Sequence, residues 1–100
     1  MSIDGARKAL ADCRERIDQI DRRLLMLLNE RTRIVEQIGE IKQQASMPIY
    51  EPKREEQVFE NVVGHNDGPL PADAVKRIFE RIIDEMRTLQ KMRVKSNEDK

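Results

Sequence analysis

A single cysteine and a single histidine in 100 residues exclude several chemistries at once. One thiol cannot close a disulfide within the chain, so a reducing cytoplasm is the expected compartment. His65 lies among turn-forming residues, and no metal cluster or Ser-His-Asp relay can be assembled around one imidazole. Tryptophan is absent and aromatic content is 3%, beside a hydrophobic content of 38%. That is lean for a domain standing alone, and a partner chain is expected to supply the missing cover. Neither sign of charge dominates, since 19 Lys+Arg balance 19 Asp+Glu. Without a concentrated positive face, nucleic acid is not an expected partner. The longest apolar run, Leu24-Leu25-Met26-Leu27-Leu28, falls far short of the ~20 residues that span a bilayer. Met1-Ser2-Ile3-Asp4-Gly5 lacks the basic-then-apolar pattern of a signal peptide. No membrane association is expected either.

Proline is missing before Pro48, and the residues up to that point carry a regular pattern. Apolar residues fall at Ile3, Ala6, Leu10, Cys13, Ile17, Ile20, Leu24, Leu27, Ile34, Ile38, Ile41 and Ala45. Steps of three and four alternate, which defines a heptad seam. The pattern predicts one helix over about residues 6–44, roughly 60 Å long at ~1.5 Å per residue. A compact domain of this size has a radius of gyration of only ~13 Å, so part of the seam must be covered by another molecule. Pro48 and Pro52 break the helix, and Pro52 is suited to open a second one. Val58, Phe59, Val62 and Val63 give that helix its apolar side, and Gly64-His65-Asn66-Asp67-Gly68-Pro69 ends it. Asp73 opens a third helix, with Val75, Ile78, Phe79, Ile82, Ile83, Met86 and Leu89 on its inner face. The expected architecture is all-α, with a helical domain over 1–92 and a polar, fraying tail over 93–100.

The informative positions are polar groups that interrupt these apolar faces. Arg31 occupies a seam position between Leu24 and Ile38, where a guanidinium is costly unless something negative meets it. Lys42 follows 11 residues later, which returns it to within about 20° of the same helical face. Gln90 continues the Phe79, Ile83, Met86 stripe, and Arg14 lies one step from the seam. None of the four has an acidic partner on its own face. One such residue alone commonly sets register in a coiled coil. Several donors turned toward one helical bundle suggest instead a pocket for a small polyanion. Cys13 reads as a small core residue, with no histidine at helical spacing to activate it. Glu15, Asp18 and Asp21 read as a solvated face. Lys53, Arg54, Glu55 and Glu56 are either a surface cluster or, at a helix start after a proline loop, part of a binding site.

In Arg14-Glu15-Arg16-Ile17-Asp18, in Leu24 to Arg31, in Ile38-Gly39-Glu40-Ile41-Lys42 and in Pro48 to Glu55, the chain resembles the all-helical chorismate mutases. The resemblance covers about residues 10–90. Asn66-Asp67-Gly68-Pro69 and Ile78-Phe79-Glu80-Arg81-Ile82 look like the chorismate mutase domains associated with DAHP synthase, and imply such a partner. The resemblance also implies a three-helix protomer whose long first helix intertwines, antiparallel, with that of a second protomer. The implied activity is the cofactor-free rearrangement of chorismate to prephenate, with no metal. By position, Arg31 and, from the other chain, Arg14 would bind substrate carboxylates. Lys42 would contact a carboxylate and the ether oxygen, to which Gln90 would also donate. Glu55 would bind the ring hydroxyl with help from Glu51, and Arg54 would close the anion site. The sequence departs from some relatives at Glu51, where they have a shorter aspartate, and at Met86, where a serine contacts a carboxylate. Two other readings stay open. An isochorismate pyruvate lyase shares the fold and the donors, although Glu55 speaks against it. A regulatory or coiled-coil module needs no activity at all.

Overall fold

The computed structural model describes residues 1–98 and contains three helices: α1 (Ile3–Gln44), α2 (Pro52–Gly64) and α3 (Ala72–Glu98). No strand occurs among the described residues. None of the helices is long and apolar enough to cross a membrane. The chain divides into two units, Met1–Ile34 and Val35 onward.

The first unit is α1 alone, up to Ile34. Its helix begins three residues before the sequence boundary because Ser2 caps it. The Ser2 hydroxyl accepts the Gly5 N–H at 3.0 Å and the Ser2 carbonyl accepts that of Ala6 at 2.8 Å. Asp4 in the first turn suits the positive end of the helix dipole. Nothing in residues 1–34 is buried. Leu24 and Leu27 on the seam are 53% and 60% exposed. The periodic apolar face therefore exists as a helix face, and no part of its own unit covers it.

The second unit starts with the last turns of α1. Ser46 adopts a left-handed conformation with φ 56°, and Met47 N–H bonds back to the Lys42 carbonyl at 2.7 Å. This closes α1 in the manner of a Schellman motif, with serine where glycine is usual. Pro52 opens α2 as expected. The turn after α2 is held by Asn66, whose Oδ1 accepts the Gly68 N–H at 3.0 Å and whose Nδ2 donates to the Leu70 carbonyl at 2.7 Å. Gly68 sits there at φ 81°, where a side chain would be strained.

Helix α2 packs on α3. Val75, Ile83 and Met86 are buried, and Val58, Phe59, Val62, Phe79 and Ile82 are half-buried around them. Five of the seven residues expected on the inner face of α3 thus turn inward, while Ile78 and Leu89 stay 47% and 40% exposed. Long side chains tie α3 to the end of α1: Gln90 to the Val35 carbonyl, Arg93 to Glu36 at 2.7 Å, and Asn97 to Gln43 at 3.1 Å. These ties accompany a helix that runs to Glu98, where the sequence predicted a fraying tail from residue 93. Asp99 and Lys100 of that tail lie outside the described residues.

Candidate active site

Lys42 is the one buried charged side chain among the described residues, 8% exposed. Its aliphatic stem is enclosed and its ammonium meets two acceptors. Nζ donates to the Ile49 carbonyl at 2.9 Å and pairs with Glu51 Oε1 at 2.6 Å. A buried ammonium is tolerable only with such partners. The carboxylate comes from the loop, which is why no acid was visible on the helix face of Lys42. Glu51 is also the residue that caps α2, but its side chain makes no capping bond. It turns to Lys42 instead, while its carbonyl accepts the Glu55 N–H at 3.1 Å. An ammonium has three protons to donate, so two are assigned and one remains for a ligand.

Gln90 lies across α1 at Gly39. Its Nε2 donates to the Val35 carbonyl at 3.1 Å, and a Cβ on Gly39 would stand 3.6 Å from Gln90 Cγ. Gly39 and Lys42 are three residues apart, hence neighbours on one helical face. The Gln90 amide is held by one of its two N–H groups, and the other is available as a donor.

Glu55, one turn into α2, is ion-paired with Arg87 of α3 at 2.5 Å. The Arg87 guanidinium also lies over the Tyr50 ring, 4.9 Å from its centre. Arg87 was not singled out in the sequence, although it stands one turn before Gln90, three residues away. That spacing, on a helix already marked by a polar interruption, was the available signal. Tyr50 and the Ile49 carbonyl were missed as well, because loop geometry has no periodicity to read.

The remaining expected residues are placed as follows. Met86 is buried in the α3 stripe, 6% exposed. Arg54 is at the surface, donating to Gln57 at 3.4 Å. Arg31 is half-buried and Arg14 exposed, both on the first unit. Cys13, expected in a core, is exposed because the seam it lies on is uncovered in a single chain. His65 is occupied in the turn after α2, with Nδ1 2.7 Å from the Asn61 carbonyl. Among the described residues no group of three His, Cys, Asp or Glu could hold a metal ion. The second unit brings together a buried ammonium, a fixed amide and a paired carboxylate. Donors of these kinds can hydrogen-bond to the oxygen atoms of a small molecule and meet negative charge on one of them.

Residues 13–91 match the protein family described as chorismate mutase type II. The chain is 30% identical, over 95 residues, to a protein named chorismate mutase from Methanocaldococcus jannaschii, covering 91% of this chain and 93% of that one. It is 40% identical over 86 residues to the bifunctional chorismate mutase/prephenate dehydratase of Aquifex aeolicus. There the match takes in 82% of this chain and 24% of the relative, so the chain spans about a quarter of that protein. Among solved structures, form II of chorismate mutase from Thermus thermophilus superposes with a TM-score of 0.81 at 31% identity. The superposition covers 83% of this chain and 94% of that one.

Proposed function

The chain belongs to the chorismate mutase type II family, and from that membership we propose that it catalyses the rearrangement of chorismate to prephenate. The observation that carries the reading is the buried Lys42 ammonium, held by Ile49 and Glu51 with a donor to spare. In this isomerisation one C–O bond breaks and one C–C bond forms within a single molecule, and no atom is gained or lost. No nucleophile, general base or cofactor is called for. The protein has to hold a dianion in a compact conformer and to meet the charge that develops on the ether oxygen.

Lys42 and Gln90 serve as the two donors to that oxygen. Each donor of this kind contributes on the order of 10²–10³ in rate. Arg31 binds a substrate carboxylate through its planar fork, and Arg14 of a second protomer binds one as well. Glu55 accepts from the ring hydroxyl, Glu51 supports the loop there, and Arg54 closes the anion site. Met86 offers an apolar wall where some relatives have a serine.

The functional form is an intertwined, antiparallel homodimer in a reducing cytoplasm. The exposed apolar face of α1 supports the dimer, as does the distance between the two arginines. Seventeen residues separate Arg14 from Arg31, about 25 Å along a helix, too far for both to grip one small dianion. A partner chain that runs antiparallel brings its own Arg14 to the site instead. The stretches Asn66–Pro69 and Ile78–Ile82 support a DAHP synthase as a further partner.

The test is direct. Purified chain is incubated separately with chorismate and isochorismate, and the products are identified. Prephenate from chorismate supports the reading. Pyruvate release from isochorismate, without prephenate formation, identifies a lyase. No turnover of either leaves a non-catalytic module. Sedimentation at micromolar concentration addresses the assembly, and a stable, well-folded monomer refutes the dimer.

A further inference from the structure

Arg87 touches groups from three segments, and the reading above assigns it nothing. Its Nη2 pairs with Glu55 Oε2 of α2, its Nη1 lies 3.6 Å from Asp84 on α3, and its guanidinium covers the Tyr50 ring of the loop. The Asp84 contact is a helix-surface pair whose acid is 61% exposed, and contributes little. The Glu55 contact differs. The two side chains are only 25% and 23% exposed, and 32 residues separate them in the sequence.

Glu55 poses an electrostatic difficulty. A carboxylate placed to accept from a ring hydroxyl would face a substrate that carries two carboxylates of its own. In a partly buried site such repulsion is weakly screened. Arg87 removes the difficulty without removing the acceptor. It binds Oε2, while Oε1 keeps lone pairs for a hydroxyl proton. Tyr50 holds the guanidinium from its face, within the ~6 Å over which such stacking acts. We propose that Arg87 is a positioning residue that orients and neutralises Glu55, so that a carboxylate can recognise the substrate hydroxyl in a site built for a dianion. This rests on the chorismate mutase reading.

The experiment is steady-state kinetics with chorismate on wild type, Arg87→Leu, Arg87→Lys, Glu55→Gln and the Glu55→Gln/Arg87→Leu double variant, each checked by thermal melting. In Arg87→Leu, KM is expected to rise about tenfold, equivalent to ~1.4 kcal/mol, with kcat little changed because the interaction is common to ground and transition states. The rise should shrink as salt is raised, since it is a like-charge repulsion. Arg87→Lys should recover most of the affinity. The double variant should bind no worse than Glu55→Gln alone, because without the carboxylate there is no charge to neutralise. An unchanged KM in Arg87→Leu overturns the proposal. So does an equal loss in both backgrounds, which would place Arg87 directly on the substrate. If Arg87→Leu does not fold, Arg87→Gln takes its place in the same comparison. Wild type that turns over chorismate beside a flat KM series refutes only this role. Wild type without turnover refutes the underlying reading and this role with it.

Discussion

Replacing Lys42 by methionine separates what its ammonium does for the fold from the role proposed for it in the reaction. The Lys42 side chain is 10% exposed, and a methionine fills the channel its stem occupies. Two acceptors lose a donor. Glu51 is 46% exposed and rehydrates, so no charge is stranded. The Ile49 carbonyl loses its hydrogen bond, and the expected destabilisation is about 1–2 kcal/mol. Loss of a donor at the ether oxygen is far larger in its effect, on the order of 10²–10³ in kcat. Unfolding of that small extent cannot imitate such a drop, because a domain several kcal/mol stable stays almost wholly folded. The assay pairs the rate of chorismate disappearance at saturating substrate with melting followed by circular dichroism. A Lys42→Met protein that melts cooperatively and keeps kcat within about threefold of wild type refutes the role assigned to the ammonium.

Gln90→Leu restores an apolar stripe on α3 and removes the second of the two proposed donors. Its kcat should fall by on the order of 10² with stability held or slightly raised, and normal turnover would remove Gln90 from the chemistry. On the proposed dimer, the Arg14→Ala and Lys42→Ala proteins should each be nearly inactive, and after subunit exchange about a quarter of wild-type activity should return. Random pairing makes half the dimers mixed, each with one intact site. Complete exchange, shown with differently tagged chains, and no recovery would mean that Arg14 and Lys42 do not meet across an interface. Ser46→Gly relieves a left-handed residue at the end of α1 and should raise stability by about 0.5–1 kcal/mol. A urea midpoint that does not move would show that the turn is unstrained.

Much of this was legible because helices announce themselves by period. The seam from Ile3 to Ile41, the Pro52 start of α2 and the inward stripe Val75, Ile83 and Met86 all follow from spacing, and the structure has them. The same periodicity exposed Gln90, which stands where an apolar residue was due, and Lys42, which returns to the helical face of Arg31 after 11 residues. It could not supply their partners. Glu51 meets Lys42 from a loop, and Arg87 meets Glu55 across 32 residues of sequence. The extension of α3 was illegible for a similar reason. Arg93 and Asn97 are polar by composition, and only Glu36 and Gln43, more than 50 residues earlier, give them something to bind. For Arg14, spacing gives the side of the helix on which it stands and nothing about what covers that side.

The bare first unit has a kinetic consequence. Residues 1–34 bury no side chain within their own chain, and an isolated helix draws most of its stability from packing an apolar face. In the proposed dimer this segment acquires order when two molecules meet. Recovery of activity after dilution from denaturant should then be a second-order process, with a half-time that lengthens in proportion as the protein is diluted. The melting temperature should climb with concentration for the same reason. The residues from Val35 onward have their own small core around Val75, Ile83 and Met86, and can collapse before any encounter. Assembly would proceed in two stages, a fast unimolecular one that packs α2 on α3 and a slower bimolecular one that orders the first unit.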